Sequence, residues 1–107
     1  MDFINLTTEN FKIKTSKKDK LYLIEFYSDV CDPCKAIKTS LEKVSAFFED
    51  KIEYCKVDTD VQPKLSQFFE AYCTPSIILY MNEKILKYIP GYKQSKELIE
   101  IIKNYLD

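Results

Sequence analysis

The chain has 107 residues, with sixteen lysines, no arginine, no histidine, no tryptophan and one glycine, and its seventeen acids leave a formal charge of −1. One domain of this length is expected to bury somewhat under ~70% of its extended surface, enough for an unaided core. Without histidine there are no Ser-His-Asp or Cys-His nucleophile pairs and no histidine metal sites; one glycine excludes the Walker loop and GxGxxG, and a near-neutral chain without arginine argues against nucleic-acid binding.

In chain order, Phe3 to Leu6 is a short apolar run. Thr7 and Thr8 then offer N-caps for a short helix over Glu9 to Lys14. The lysine-rich stretch from Lys12 to Lys20 reads as a solvated loop, since Asp19 interrupts it and no aromatic interleaves it. Leu21 to Tyr27 is a near-continuous apolar run, as expected of a strand buried on both faces. Cys34, Ile37, Leu41, Val44 and Phe48 follow at the spacing of one face of a long helix.

Ile52 to Val57 forms the next strand, and Val61, Leu65, Phe68, Phe69 and Tyr72 mark another helix face, with Pro63 tolerable only in its first turn. Ser76 to Met81 is a strand, turned by Asn82-Glu83-Lys84 into Ile85 to Ile89, a hairpin without the glycine such a turn prefers. Gly91 breaks the chain, and Leu98, Ile101, Ile102 and Tyr105 give a terminal helix capped by Ser95. The order β-α-β-α-β-α-β-β-α predicts an α/β fold, a mixed sheet covered by helices with an antiparallel edge from the final hairpin.

No segment reads as a leader or a membrane span. The start carries acids and no apolar core, and the longest apolar stretch, Ile77 to Met81, is far short of a span. A cytoplasmic protein is the expectation, and there cysteines usually signal redox or metal chemistry.

Cys31-Asp32-Pro33-Cys34 lies between the buried strand and the long helix. Cys31 falls at the helix N-terminus, where unpaired N–H groups favour a thiolate. Pro33 suits the first turn, where it costs no hydrogen bond. Cys34 sits on the apolar face and is therefore the shielded partner. Such a pair suits a two-step exchange, in which an exposed thiolate attacks a disulfide and a shielded thiol resolves the mixed disulfide. Structural zinc would need two more ligands, and Cys55 and Cys73 are unpaired singles, so no metal is expected.

Glu25 interrupts the apolar strand six residues before Cys31, where a carboxylate is expensive to bury. Turned toward the helix, it would have a raised pKa and could exchange a proton with Cys34. Turned outward, it would be an ordinary surface acid; periodicity does not choose.

Taken in order, EFYSDVCDPCK, KVDTD, TPSIILY and the Gly91 turn resemble the thioredoxin family over nearly the whole chain. The resemblance implies a five-stranded mixed sheet flanked by four helices, 1–107 as a single domain, and reduction of disulfides in client proteins. Cys31 would be the attacking cysteine and Cys34 the resolving one. Glu25 falls where the family carries a buried proton-handling acid, usually aspartate, and Lys56 where it places a lysine close to that acid. Thr74-Pro75 matches the cis-proline junction that lines the client groove, and Gly91 the glycine of the same groove. No cofactor would be bound; a partner thioredoxin reductase would supply electrons to a protein working as a monomer.

Around Cys31 two positions depart from the family pattern. Val30 stands in place of a tryptophan, removing an aromatic contact for clients, and Asp32 in place of a glycine. A unit charge roughly 6–8 Å from Cys31 opposes its thiolate by on the order of 1 kcal/mol. Cys55 is expected to pack as a small hydrophobe, whereas Cys73, next to Thr74-Pro75, is either a spectator or an exposed regulatory thiol able to link two copies on oxidation. The rival functions are a disulfide oxidase or isomerase, and an adaptor module whose cysteines are incidental.

Overall fold

The structure, a computed structural model, describes residues 3–106. Its elements are β1 (Ile4–Asn5), α1 (Phe11–Lys14), β2 (Leu21–Tyr27), α2 (Asp32–Phe48), β3 (Ile52–Asp58), α3 (Pro63–Phe68), β4 (Ser76–Met81), β5 (Lys84–Pro90) and α4 (Ser95–Lys103). They build one five-stranded sheet in the order β1-β3-β2-β4-β5. β1 and β2 each run parallel to β3, while β2–β4 and β4–β5 are antiparallel. This is the mixed sheet with four helices that the sequence predicts.

β2 lies at the centre because both of its faces are apolar. Leu21 and Leu23 pack with Ile37, Leu41 and Val44 of α2 and Leu98 and Ile102 of α4. Tyr22, Ile24 and Phe26 face the other way, onto Phe11, Leu65 and Phe69 from the α1 and α3 side. The two-residue alternation of a strand therefore turns Glu25 toward α2, on the same face as Leu21 and Leu23.

Four helix boundaries differ from expectation, the simplest being that α4 ends at Lys103, short of Tyr105. α1 begins at Phe11 rather than Glu9, because Thr7 and Asn10 exchange hydrogen bonds: the Asn10 N–H donates to Thr7 Oγ1 at 3.1 Å and the Thr7 N–H to Asn10 Oδ1 at 2.8 Å. That reciprocal pair holds a turn ahead of the helix. α4 is not capped by Ser95: its first backbone bond runs from the Leu98 N–H to the Gln94 carbonyl at 3.1 Å, which makes Gln94 the cap and Ser95 the first helical residue.

The remaining correction is the largest. α3 ends at Phe68, and Val61, Phe68 and Tyr72, expected on its buried face, are 67%, 61% and 74% exposed. Glu70 adopts a left-handed conformation (φ 55°), the Ala71 N–H donates to the Ser66 carbonyl at 2.9 Å, and the Glu70 N–H to that of Gln67 at 3.1 Å. This is a Schellman stop with glutamate where glycine is usual, so no composition signal marks it. The chain leaves the helix axis before reaching Tyr72.

Elsewhere too the chain takes left-handed turns without glycine. Asn82 and Glu83 form the β4–β5 turn with φ of 51° and 64°, and the Asn82 side chain is pinned by two hydrogen bonds to Asp19. Glu49, which closes α2, sits at φ 52° and ψ −130°, a region that a Cβ disfavours. Its carboxylate also meets the negative end of the helix dipole. Glu49→Gly is therefore expected to stabilise the protein by about 1 kcal/mol, read as a higher urea midpoint at unchanged slope. A lower midpoint would contradict this reading of the turn.

Candidate functional site

The site is built where β2 runs into α2. Past Tyr27 the chain turns through Ser28, whose Oγ donates to Asp60 Oδ2 at 2.8 Å and whose carbonyl accepts the Cys31 N–H at 3.2 Å. Cys31 is thereby placed as the N-cap of α2 in extended conformation, and its Sγ accepts the backbone N–H of Cys34 at 3.1 Å. This first-turn N–H, shared with the Cys31 carbonyl at 3.2 Å, thus points at the sulfur that must carry negative charge during exchange. Pro33 occupies the first turn and withdraws no hydrogen bond.

Cys31 and Cys34 are joined as a disulfide, with Cα atoms 5.2 Å apart. The two sulfurs are unequal in access: Cys31 is half-buried, while Cys34 is 6% exposed on the apolar face of α2. Asp32, between them, projects into solvent with its side chain 95% exposed and an oxygen 3.8 Å from Lys35 Nζ. Its opposition to a Cys31 thiolate is correspondingly screened.

Beneath the cysteines lies a cavity of about 330 Å³, lined by Glu25, Cys34, Lys38 and Lys56 among others. Glu25 is buried and faces this cavity. Burial pushes its carboxyl up to about 7, against the opposing pull of Lys56 and then Lys38. Lys56 is its register partner on β3, so the two side chains leave the sheet side by side. Lys56 Nζ also stands 5.7 Å from the centre of the Tyr27 ring. A carboxyl titrating near neutrality beside a buried thiol can accept and return a proton under ordinary conditions. Of the two orientations open to Glu25 from periodicity, the structure takes the one toward the helix.

Ser76 pairs with Phe26 on β2 and with Pro90 on β5, which brings the start of β4 and the end of β5 to the cysteine end of the sheet. The Thr74-Pro75 peptide there is cis, and the Pro75 carbonyl accepts the Gly91 N–H at 2.8 Å. Gly91 is required by its φ of +80° rather than by space, since a Cβ there would meet nothing within 4 Å. Val30 is 89% exposed beside Cys31. Tyr72 and Tyr92, which flank the cis junction and Gly91 along the chain, are 74% and 45% exposed. Helical spacing predicts a core position for Tyr72, and no sequence pattern marks Tyr92.

The remaining cysteines stand apart. Cys55 is buried, and burial pushes its thiol up to about 12, which leaves it a small apolar side chain. Cys73 is exposed, with Sγ 3.2 Å from the Tyr88 hydroxyl. Among the described residues no three cysteine, aspartate or glutamate side chains group as metal ligands, and no helix is long and apolar enough to cross a membrane.

Comparison with known proteins places this geometry in context. The family model described as Thioredoxin matches residues 2–104. Three curated relatives, each named Thioredoxin and from Staphylococcus aureus strains Mu50 / ATCC 700699, MW2 and N315, are 26% identical over 106 residues. Those alignments cover 99% of this chain and 100% of each relative.

Proposed function

Because the chain belongs to the thioredoxin family and is a thiol–disulfide oxidoreductase of that kind, we propose that it runs in the reducing direction, on disulfides of client proteins. The observation that carries this reading is the Cys31–Cys34 disulfide at the start of α2, one sulfur accessible and the other buried above the Glu25 cavity. In the reduced protein the Cys31 thiolate attacks one sulfur of the client disulfide, whose S–S bond breaks as the client's other cysteine leaves as thiolate. Cys34 then gives its proton to Glu25 and attacks Cys31 Sγ. The Cys31–client bond breaks, the released client thiolate takes up a proton, and the Cys31–Cys34 disulfide forms. Two electrons have passed from protein to client. A partner thioredoxin reductase returns them, so the chain itself needs no cofactor.

Val30, Thr74, Pro75 and Gly91 form the surface against which the client backbone is laid in this reading, and Lys56 tunes Glu25. The reducing cytoplasm is the compartment that keeps such a couple charged. The protein acts as a monomer, with oxidation of the exposed Cys73 as its route to a linked dimer, visible on a non-reducing gel.

Equilibration against glutathione buffers tests the direction. A reductase is expected to lie below about −230 mV, toward the about −270 mV typical of thioredoxins, whereas disulfide oxidases lie near about −120 mV. In the same titration, Asp32→Gly is expected to raise the potential by up to about 20 mV, less at high salt, because removing the carboxylate stabilises the Cys31 thiolate and with it the reduced form. A more negative potential in that variant would contradict the electrostatic argument. A wild-type potential near that of the oxidases would overturn the reducing direction.

A further inference from the structure

The Glu25 cavity has two walls. The sheet wall carries Glu25 and Tyr27 on β2 and Lys56 on β3; the helix wall carries Cys34, Lys35 and Lys38 on α2, and Asp29 closes the rim. Lys38 lies four residues beyond Cys34, one turn along the same helix, and although exposed overall it lines the cavity. The two helix lysines differ in what they meet. Lys35 Nζ is drawn to Asp32 at 3.8 Å, whereas neither Lys38 nor Lys56 has an acidic partner within 4.0 Å among the described residues.

We propose that Lys38 is a positioning residue of the site: from the helix wall it faces Glu25 across the cavity and, opposite Lys56, keeps the Glu25 carboxylate available to take the Cys34 proton. Glu25 on its own pays for burial by holding a proton, and a carboxylic acid cannot serve as a base. One lysine on the sheet wall offsets part of that cost, and the second, on the helix that bears Cys34, adds to it from the side where the proton arrives. Lys38 and Lys56 are the two cations whose charge opposes burial at Glu25. Of the other ionisable groups at the cavity, Tyr27 has its hydroxyl pushed up by burial and by Asp58, Asp29 and Glu25, so it stays neutral over the working range. Asp29 lies at the exposed rim, and Lys35 is engaged by Asp32. Lys38 is exposed, so substituting it is not expected to disturb the core.

The test is the carboxyl titration of Glu25, followed by carbon NMR on the oxidised protein, with client reduction measured in parallel. Lys38→Gln is expected to move the Glu25 midpoint upward by about 0.5 pH unit, and Lys38→Arg to leave it in place. Lys43→Gln, which removes an exposed lysine farther along α2, serves as the control and is expected to move it by less than ~0.2 unit. In the reduction assay the acid limb of the rate profile moves with the midpoint. A Glu25 midpoint that shifts no more in Lys38→Gln than in Lys43→Gln, or an arginine variant that behaves as glutamine does, would overturn the proposal. The kinetic arm rests on the reducing function; the titration does not, so a protein inert toward clients but titrating as described would count against that function and not against Lys38.

Discussion

Replacing Glu25 with glutamine is expected to stabilise the oxidised protein by up to about 3 kcal/mol at pH 8 and to leave its stability at pH 4 nearly unchanged. The sign follows from where the carboxyl titrates: ordinarily near 4.5, and about 7 in the fold because it is buried. Below pH 4.5 it is protonated in both folded and unfolded chains and contributes no penalty. Between 4.5 and 7 the folded chain keeps a proton that the unfolded chain has released, so stability falls as pH rises. Above 7 the carboxylate is charged in both states, and the full cost of burying it is in place.

Glutamine has the same shape and no charge, so the curve of the variant should lack that fall. The chain suits the measurement: it has no histidine, and with Cys31 and Cys34 in the disulfide few other groups titrate between pH 5 and 8. Urea unfolding at a series of pH values gives the result. Parallel wild-type and variant curves would mean that the carboxyl is not held in the protonated form by its surroundings. The same substitution is expected to slow resolution of the mixed disulfide by at least about 10-fold at pH 7, since the proton of Cys34 loses its acceptor. Stability and turnover are thus opposed at this position.

The second large effect separates the two cysteines. Cys31→Ser removes the accessible sulfur and is expected to lower client reduction by at least about 10³-fold, with no covalent adduct. Cys34→Ser keeps an attacking sulfur at the head of α2 and loses only the buried one. It is expected to complete a single attack and stop there, accumulating a mixed disulfide between Cys31 and client that mass spectrometry detects. The asymmetry comes from the fold: Cys31 is the half-buried N-cap, and Cys34 lies on the helix face turned to the cavity. An adduct formed through Cys34 in the Cys31→Ser variant, at a rate matching that of the converse pair, would contradict the assignment.

β2, α2 and β4 match the sequence reading because their patterns are strong: a buried strand with few polar interruptions, an apolar stripe sustained over seventeen residues, and a five-residue apolar run after a proline. What escaped is local and physical. The stop of α3 depends on Glu70 taking a left-handed turn that glycine would have announced, so an apolar spacing that continues through Tyr72 reads as helix beyond its true end. The capping of α4 by Gln94 uses only backbone, which leaves no side-chain signature.

At the site, the CxPC spacing disclosed the cysteines, the lone acid in an apolar strand marked Glu25, and family likeness added Lys56. Periodicity could not orient Glu25, because both faces of β2 are apolar and either could have been the outward one. Lys38 stood in plain view four residues beyond Cys34. The signal that could have found it was a charged residue on the stripe of the resolving cysteine, next to a strand that carries a lone acid.

Insulin reduction by the wild-type protein, with dithiothreitol as electron source, bears most directly on the central claim that the Cys31–Cys34 couple passes electrons to client disulfides. The expected result is precipitation of the freed insulin chain well ahead of the reagent alone, and no acceleration by either serine variant. A wild-type protein no faster than dithiothreitol would contradict the claim and leave the chain a binding module built on a thioredoxin frame.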